Sequence, residues 1–133
     1  MKKELEDKLV RDFPLLYKEY GGSQYETCMA WGFECSDGWF ALLYEASVKL
    51  EPLIEEYRKE NPQEEYLPCA SQVKEKFGTL RFYLSTGTRE MYAIVDEAEE
   101  LSGKTCEVCG KEGKTGGTGW YRTLCDNCNT QKK

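Results

Sequence analysis

Four cysteines near the end of the chain constrain its fold more than any other feature. They occur as two pairs, Cys106-Glu-Val-Cys109 and Cys125-Asp-Asn-Cys128, with fifteen residues between the pairs. Each pair can place two thiolates on one side of a tight turn, a spacing typical of a tetrahedral structural zinc site. The chain has no histidine, so all four ligands would be sulfur and no coordination position would remain for water. We therefore predict a closed zinc ribbon that holds one structural Zn²⁺ rather than a catalytic metal.

The alternative interpretation of these pairs is a set of disulfides or ordinary cysteines. A redox Cys-x2-Cys motif normally occurs once in a chain, whereas this chain has two. Seven cysteines, an odd number, also fit a secreted disulfide scaffold poorly, and we expect the protein in a reducing cytoplasm. The remaining three, Cys28, Cys35 and Cys69, are interpreted most simply as small buried residues.

The composition describes one folded domain with an uneven charge. Of 133 residues, 40% are hydrophobic and 13% are aromatic, which is enough for a single modest core. No apolar run approaches the roughly 20 residues that a membrane helix needs. Residues 1–103 carry a formal charge of −9 and residues 104–133 carry +3, which Zn²⁺ on four thiolates would bring near +1. The acidic charge disfavours nucleic acid as a partner, because no broad basic face remains to neutralise phosphates.

Hydrophobic periodicity predicts an α+β fold, with helices and a β-hairpin or small antiparallel sheet. Pro14 should break or kink the first helix. Because the cysteine segment follows Gly103 almost at once, the ribbon should pack on the main body rather than swing freely. The predicted body spans residues 1–103 and the predicted ribbon residues 104–133; within the body we expect helices at about residues 2–20, 37–61 and 88–102 and a hairpin at about residues 71–85.

The predicted hairpin has one apolar and one polar face. Its turn falls at Phe77-Gly78, and because phenylalanine is poor at a positive φ angle we expect a longer or bulged loop rather than a two-residue turn. The polar face is either an ordinary solvated strand face or a surface that grips a phosphate or a partner's acidic groups. The side chains on this face are Gln72, Lys74, Lys76, Arg81 and Tyr83.

A second candidate site is the aromatic and acidic run from residue 31 to residue 40. Glu34 and Asp37 could hold a cation or the donor groups of a ligand, while Trp31 and Trp39 could stack on a planar ligand. The plainer interpretation is that Asp37 caps a helix and that the aromatic residues belong to the core. If the run lies beside the polar face of the hairpin, the two together would form a mixed-charge pocket.

Enzymatic chemistry finds little support in the sequence. Without histidine, a Ser-His-Asp or Cys-His arrangement is excluded, and so is the commonest general base at neutral pH. A carboxylate-dependent enzyme built on Glu34 and Asp37 is a weak alternative. A nucleic-acid-associated ribbon is another, in which basic and aromatic side chains contact backbone and bases: Lys111, Lys114, Trp120, Tyr121 and Arg122.

Three spaced motifs carry a resemblance that covers about residues 28 to 128. The first is Gly32-Phe-Glu-Cys-Ser-Asp-Gly-Trp39 and the second is Gln72-Val-Lys-Glu-Lys-Phe-Gly-Thr-Leu-Arg-Phe-Tyr83. The third is Cys106-Glu-Val-Cys109-Gly, followed by Gly119-Trp120 and Thr123-Leu-Cys125. In this order they resemble a group of small proteins encoded by phages and prophages. The resemblance implies a viral or prophage origin and a place in the host bacterial cytoplasm, and it implies no catalytic residue.

The leading hypothesis is a binding protein that acts without catalysis on a host protein or a host signalling molecule. Small size, a zinc-stabilised body and an acidic surface fit this hypothesis. Counter-defence against bacterial immunity is one concrete version, and it depends on the resemblance to phage proteins rather than on particular residues.

Overall fold

The computed structural model describes residues 1–131, and for residues 130 and 131 the backbone alone. It has the predicted α+β architecture. A body of three helices and a three-stranded sheet is followed by a small ribbon that contains the four cysteines. Two 3₁₀ turns, Cys28–Trp31 and Asp37–Trp39, flank the first strand. The elements in chain order are α1 (Lys3–Asp12), β1 (Phe33–Glu34), α2 (Phe40–Glu60), β2 (Ala70–Lys76), β3 (Thr79–Leu84), α3 (Arg89–Ser102), β4 (Lys114–Gly116), β5 (Arg122–Leu124) and α4 (Asp126–Gln131).

The core lies between α2, α3 and one face of the sheet. Leu43, Leu50 and Ile54 form a buried stripe on α2, which is the 3.6-residue periodicity of an amphipathic helix. Tyr17 reaches into the same core, where its hydroxyl and that of Ser47 form a buried hydrogen bond of 2.6 Å. The last body helix, α3, begins where the sequence indicates, because the Thr88 hydroxyl accepts a hydrogen bond from the N–H of Met91.

The first helix is shorter than predicted. It ends at Asp12, and residues 14–21 form turns, so the expectation of a helix to about residue 20 is wrong while the break at Pro14 is confirmed. Proline has no N–H and disfavours helical geometry at the preceding residue. The backbone N–H groups of Leu15 and Leu16 instead donate to the Glu51 carboxylate of α2, at 3.0 and 2.8 Å.

The sheet contains a strand that the sequence analysis missed. β1 is only two residues long and pairs in parallel with β2, so that Phe33 lies opposite Val73. β2 and β3 form the predicted antiparallel hairpin, with Val73 opposite Phe82. A two-residue strand has too little alternation to be recognised by its sequence pattern. Because β1 pairs in parallel and β3 antiparallel with β2, the sheet is mixed rather than antiparallel.

The hairpin turn has two residues, so the predicted longer loop is wrong. Lys76 pairs with Thr79 across the turn, and Phe77 and Gly78 have φ angles of 55° and 89°. Two positive φ angles are typical of the type I′ turn that matches the twist of a hairpin. The N–H of Gly78 donates to the Glu75 carboxylate at 2.7 Å, which stabilises the turn although phenylalanine is unfavourable in it.

Across residues 1–131, none of the helices combines the length and the apolar character that crossing a membrane requires.

Candidate metal centre

The four cysteines of the two pairs come together at one point of the ribbon. The sulfur atoms of Cys106, Cys109, Cys125 and Cys128 all lie within 4.8 Å of one another, and those of Cys109 and Cys125 are 3.6 Å apart. Tetrahedral coordination with Zn–S bonds of about 2.3 Å requires sulfur atoms roughly 3.8 Å apart. The cluster therefore has the size and the donor set of a four-cysteine metal site, as the sequence predicts, and soft thiolate donors favour zinc.

Local backbone structure positions each pair of sulfurs. After the first pair, Gly110 adopts a φ of 82° and its N–H donates to the carbonyl of Cys106 at 2.9 Å, which closes a tight turn. In the second pair, Cys125 lies between β5 and α4 and Cys128 lies in the first turn of α4, where its N–H donates to the Cys125 sulfur at 3.4 Å. Strands β4 and β5 pair in an antiparallel way and hold the two turns side by side.

The electrostatics of the cluster favour a bound cation. Burial raises the pKa of the Cys106 thiol, but the surrounding backbone N–H groups, led by that of Cys109, together lower it to about 6. Hydrogen bonding to the Cys125 sulfur, burial and the other neighbouring sulfurs raise the pKa of Cys128 to about 12. One sulfur is thus ready to lose its proton at neutral pH, whereas full deprotonation of four adjacent sulfurs needs the compensating charge of a metal ion.

The Gly38 step of the body lies directly against the first cysteine turn. The N–H of Gly38 donates to the carbonyl of Glu107 at 2.7 Å. A Cβ atom at position 38 would lie 2.2 Å from the carbonyl oxygen of Cys106 and 2.4 Å from that of Glu107. Next along the chain, the Trp39 indole N–H donates to the carbonyl of Thr105 at 2.9 Å. The expected packing of the ribbon on the body is confirmed, and glycine allows the approach.

Glu107, between the first two cysteines, connects the ribbon to the body and was missed by the sequence analysis. The residue is only 5% exposed, and its Oε2 atom accepts a hydrogen bond of 3.0 Å from the N–H of Ser36. Its Oε1 atom lies 3.7 Å from the guanidinium of Arg122. A charged side chain between two cysteines is expected to be exposed, so no local sequence signal indicates this role.

Replacing Glu107 by alanine is expected to lower the free energy of unfolding by about 2 kcal/mol, because the half-buried N–H of Ser36 loses its acceptor and Arg122 loses its partner. Denaturant titration measures the loss. Glu112→Ala is the matched control, since Glu112 is an exposed glutamate of the same ribbon and its replacement should change stability little. Equal stability of the two variants would contradict the linking role of Glu107.

A second contact joins the ribbon to the hairpin turn. The buried hydroxyl of Thr123 donates to the carbonyl of Gly78 at 2.6 Å, and it also shares a hydrogen bond of 2.5 Å with Thr115. The three motifs quoted above thus meet at the boundary between body and ribbon. Much of what is unusual in them, including Gly38, Trp39 and Gly78, is used in packing these two parts together.

The predicted ligand cluster of residues 31–40 does not form one pocket. Trp39 is fully buried, so it cannot stack on a ligand, whereas Trp31 is 62% exposed. Asp37 is not the side-chain cap of α2, because its Oδ1 atom accepts a hydrogen bond of 2.8 Å from the N–H of Lys2. Glu34 is exposed and lies in register with Lys74 of β2, so only this part of the predicted mixed-charge arrangement is present.

The proposed polar face of the hairpin is present, with Lys74 opposite Arg81 and Gln72 opposite Tyr83. Of the ribbon residues assigned to nucleic acid, Lys111, Lys114, Trp120 and Tyr121 are exposed. Arg122 is not free for phosphate, because its side chain is 25% exposed and faces Glu107.

The three cysteines outside the cluster divide into two kinds. Cys35 and Cys69 are buried as predicted, and burial raises the pKa of both thiols, that of Cys35 to about 12. Both are therefore protonated at neutral pH. Cys28 is exposed, so the expectation that it is buried is wrong.

The fold and the site together define an α+β protein with a four-cysteine centre suited to zinc. The residues that would hold the ion are Cys106, Cys109, Cys125 and Cys128. No protein-family model, no curated protein and no solved structure matches the chain.

Proposed function

We propose that this protein is a non-catalytic binding protein that engages a host protein through the boundary between hairpin and ribbon. The observation that carries the proposal is a group of three exposed aromatic side chains, Phe77, Trp120 and Tyr121, which we call the junction surface. Their exposed fractions are 64%, 72% and 46%. Exposed aromatic side chains on a rigid base are typical of the centres of protein interfaces.

The two segments that carry the junction surface are in contact because the ribbon packs on the turn. A Cβ atom at Gly78 would lie 3.2 Å from the carbonyl carbon of Tyr121 and 3.0 Å from the Thr115 side chain. The turn that carries Phe77 is therefore in contact with the segment that carries Trp120 and Tyr121. Zinc in the ribbon would hold this segment in place, which gives the metal a structural part in binding.

Phe77 supports the proposal by its conformation. It is the one non-glycine residue with a positive φ angle in the part of the chain described, and phenylalanine is disfavoured there. Its ring is mostly exposed, and Lys76 lies over it with the ammonium 5.6 Å from the ring centroid. A residue that neither suits the turn nor packs in the core is accounted for by a role on the surface.

Charge favours a protein partner over nucleic acid at this surface. With Arg122 engaged by Glu107, the described part of the ribbon offers three exposed lysines to a phosphate backbone, Lys104, Lys111 and Lys114. The body carries a formal charge of −9, which disfavours binding of a long nucleic-acid backbone. Affinity for nucleic acid depends on the number of phosphates neutralised, and three exposed lysines support only weak binding.

A closed shell of four sulfurs and the absence of histidine support action without catalysis. The resemblance to phage and prophage proteins supports a bacterial host as the source of the partner. Interference with a host defence protein in the bacterial cytoplasm is the form of this function that the resemblance favours.

Capture from bacterial lysate tests the proposal, with native mass spectrometry as the readout. The wild type is compared with the double variant Trp120→Ser/Tyr121→Ser. The matched control is Tyr25→Ser/Tyr66→Ser, which removes two aromatic side chains that are 90% and 75% exposed elsewhere. We expect one host protein in stoichiometric amount with the wild type and the control, and its loss with the junction variant.

Other outcomes overturn the proposal in distinguishable ways. Retention of the same host protein by the junction variant would place the interface elsewhere. Complexes that disappear on nuclease treatment would support the nucleic-acid alternative, and charge reversal at Lys114 should then flatten the salt dependence of binding. A chain that carries zinc and a small additional mass, but no protein, would indicate a signalling molecule as the ligand.

Phe77→Asn is expected to stabilise the fold while weakening partner capture. Asn-Gly is the preferred pair for a type I′ turn, so relief of the unfavourable φ should add about 1 kcal/mol to the free energy of unfolding. Denaturant titration measures the gain, and the capture experiment measures the loss of the partner. A variant that is less stable than the wild type would contradict the strain attributed to Phe77.

A further inference from the structure

The outer face of the hairpin carries two adjacent cations that have no acidic partner within residues 1–131, at a place separate from the junction surface. Side chains alternate along strands, so the row Phe33, Val73 and Phe82 faces the core while the next row faces outward. That outer row consists of Glu34, Lys74 and Arg81. Because Lys74 and Arg81 are directly opposite each other, their like charges destabilise the sheet.

Neither cation is neutralised by an acidic group of the described residues. Among residues 1–131, no carboxylate oxygen lies within 4.0 Å of the charged nitrogens of Lys74 or Arg81, and Glu34 beside them extends into solvent. The Nε atom of Arg81 is buried and has no hydrogen-bond acceptor, and it is the single buried side-chain polar atom left in this state in that part of the chain. A protein with a formal net charge of −6 thus leaves two neighbouring cations unpaired.

We infer that this face binds a phosphorylated small molecule, of which a nucleoside phosphate is the best-fitting class. The paired cations Lys74 and Arg81 would hold the phosphate, since guanidinium and ammonium groups are the usual partners of phosphate oxygens. This inference does not depend on the proposed protein interface, because it uses other residues.

The neighbours of the two cations select a nucleotide over inorganic phosphate alone. Gln72 and Tyr83 form the next outward pair, two residues along each strand from Lys74 and Arg81. This spacing places the two pairs roughly 7 Å apart along the strands. The Tyr83 ring is 43% exposed and offers an apolar face on which a base can stack, while the Gln72 amide both donates and accepts hydrogen bonds. The turn Cys28–Trp31 packs beside β2.

Binding is measured by titration calorimetry of the zinc-loaded protein with pyrophosphate and with each of the four ribonucleoside triphosphates, at constant ionic strength. We expect at least one nucleotide to bind, and Arg81→Gln and Lys74→Gln each to weaken it at least tenfold. Tyr83→Leu should weaken nucleotide binding several-fold and leave pyrophosphate binding unchanged. The matched control is Lys59→Gln, which removes an exposed lysine of α2 that pairs with Glu55 and should leave ligand binding unchanged.

The stability of the variants separates a ligand-binding role from a structural one. Removal of an unpaired cation next to a second one should leave the melting temperature of Arg81→Gln unchanged or higher when no ligand is present. A clear fall in melting temperature would instead show that Arg81 supports the fold. The inference is overturned if no nucleotide binds at millimolar concentration, or if binding persists in both Arg81→Gln and Lys74→Gln.

Discussion

Replacing Cys109 by serine is expected to abolish stoichiometric zinc binding and to unfold the ribbon. Four sulfurs within 4.8 Å of one another form the site, and serine is a poor ligand for zinc. A structural zinc ion contributes about 10–16 kcal/mol to folding in zinc-finger peptides, which matches or exceeds the whole stability of an ordinary domain. Loss of the ion should therefore outweigh every other contribution to the ribbon. Elemental analysis and hydrogen exchange across residues 104–131 measure the two effects.

The exposure of Cys109 makes this variant informative. Because the side chain lies at the surface, its replacement removes little buried area, and any large effect reports the loss of the metal. Cys28→Ser is the matched control, since Cys28 is also exposed but lies outside the cluster. It should keep one zinc per chain and the wild-type melting temperature. A Cys109→Ser protein that is free of metal and as stable as the control would refute a structural zinc.

Gly38→Ala is expected to lower the free energy of unfolding by about 3 kcal/mol or more. The new methyl group would lie 2.2 and 2.4 Å from the carbonyl oxygens of Cys106 and Glu107, and backbone atoms cannot turn aside as a flexible side chain can. The ribbon would have to separate from the body, which would break the 2.7 Å hydrogen bond between Gly38 and Glu107. Denaturant titration measures the loss of stability.

Zinc content tells which part of the molecule fails in Gly38→Ala. Both cysteine turns are held by bonds within the ribbon, so we expect the variant to retain zinc while losing its contact with the body. Gly116→Ala is the control, because a methyl group there meets no atom within 4 Å and the φ angle is ordinary. A Gly38→Ala protein as stable as Gly116→Ala would contradict the close approach.

The boundaries of the hairpin and of α3 were predictable because each depends on local chemistry. Alternating apolar residues indicate a strand with one buried face, and Thr88 with the following periodic residues indicates a capped helix. The end of α1 before Pro14 follows from the same local reasoning, although the predicted length was wrong. Such signals are strong because the relevant contacts lie within a few residues of one another.

The Phe77-Gly78 turn and the short strand β1 could not be predicted in this way. Phenylalanine is unfavourable at a φ of 55°, yet the Glu75 carboxylate and the ribbon packed on Gly78 hold the turn in that conformation. β1 exists because β2 offers it an edge, not because two residues have a strong preference for strand. Here contacts from distant parts of the chain override local preference.

The amino-acid sequence by itself determined the candidate metal site. The two cysteine pairs and the absence of histidine fix the donor set, and the spacing within each pair and the glycine after the first pair mean that only local turns are needed to assemble it. Only the tertiary structure decided which roles the other unusual residues have. Trp39 and Gly38 proved to be packing residues, Glu107 proved to be a buried link, and Lys74 and Arg81 proved to lie opposite each other. The outcomes for Gly38, Trp39 and Glu107 depend on contacts between residues 66 to 71 apart in the chain, and a spacing rule cannot express them because they form only when the ribbon packs on the body.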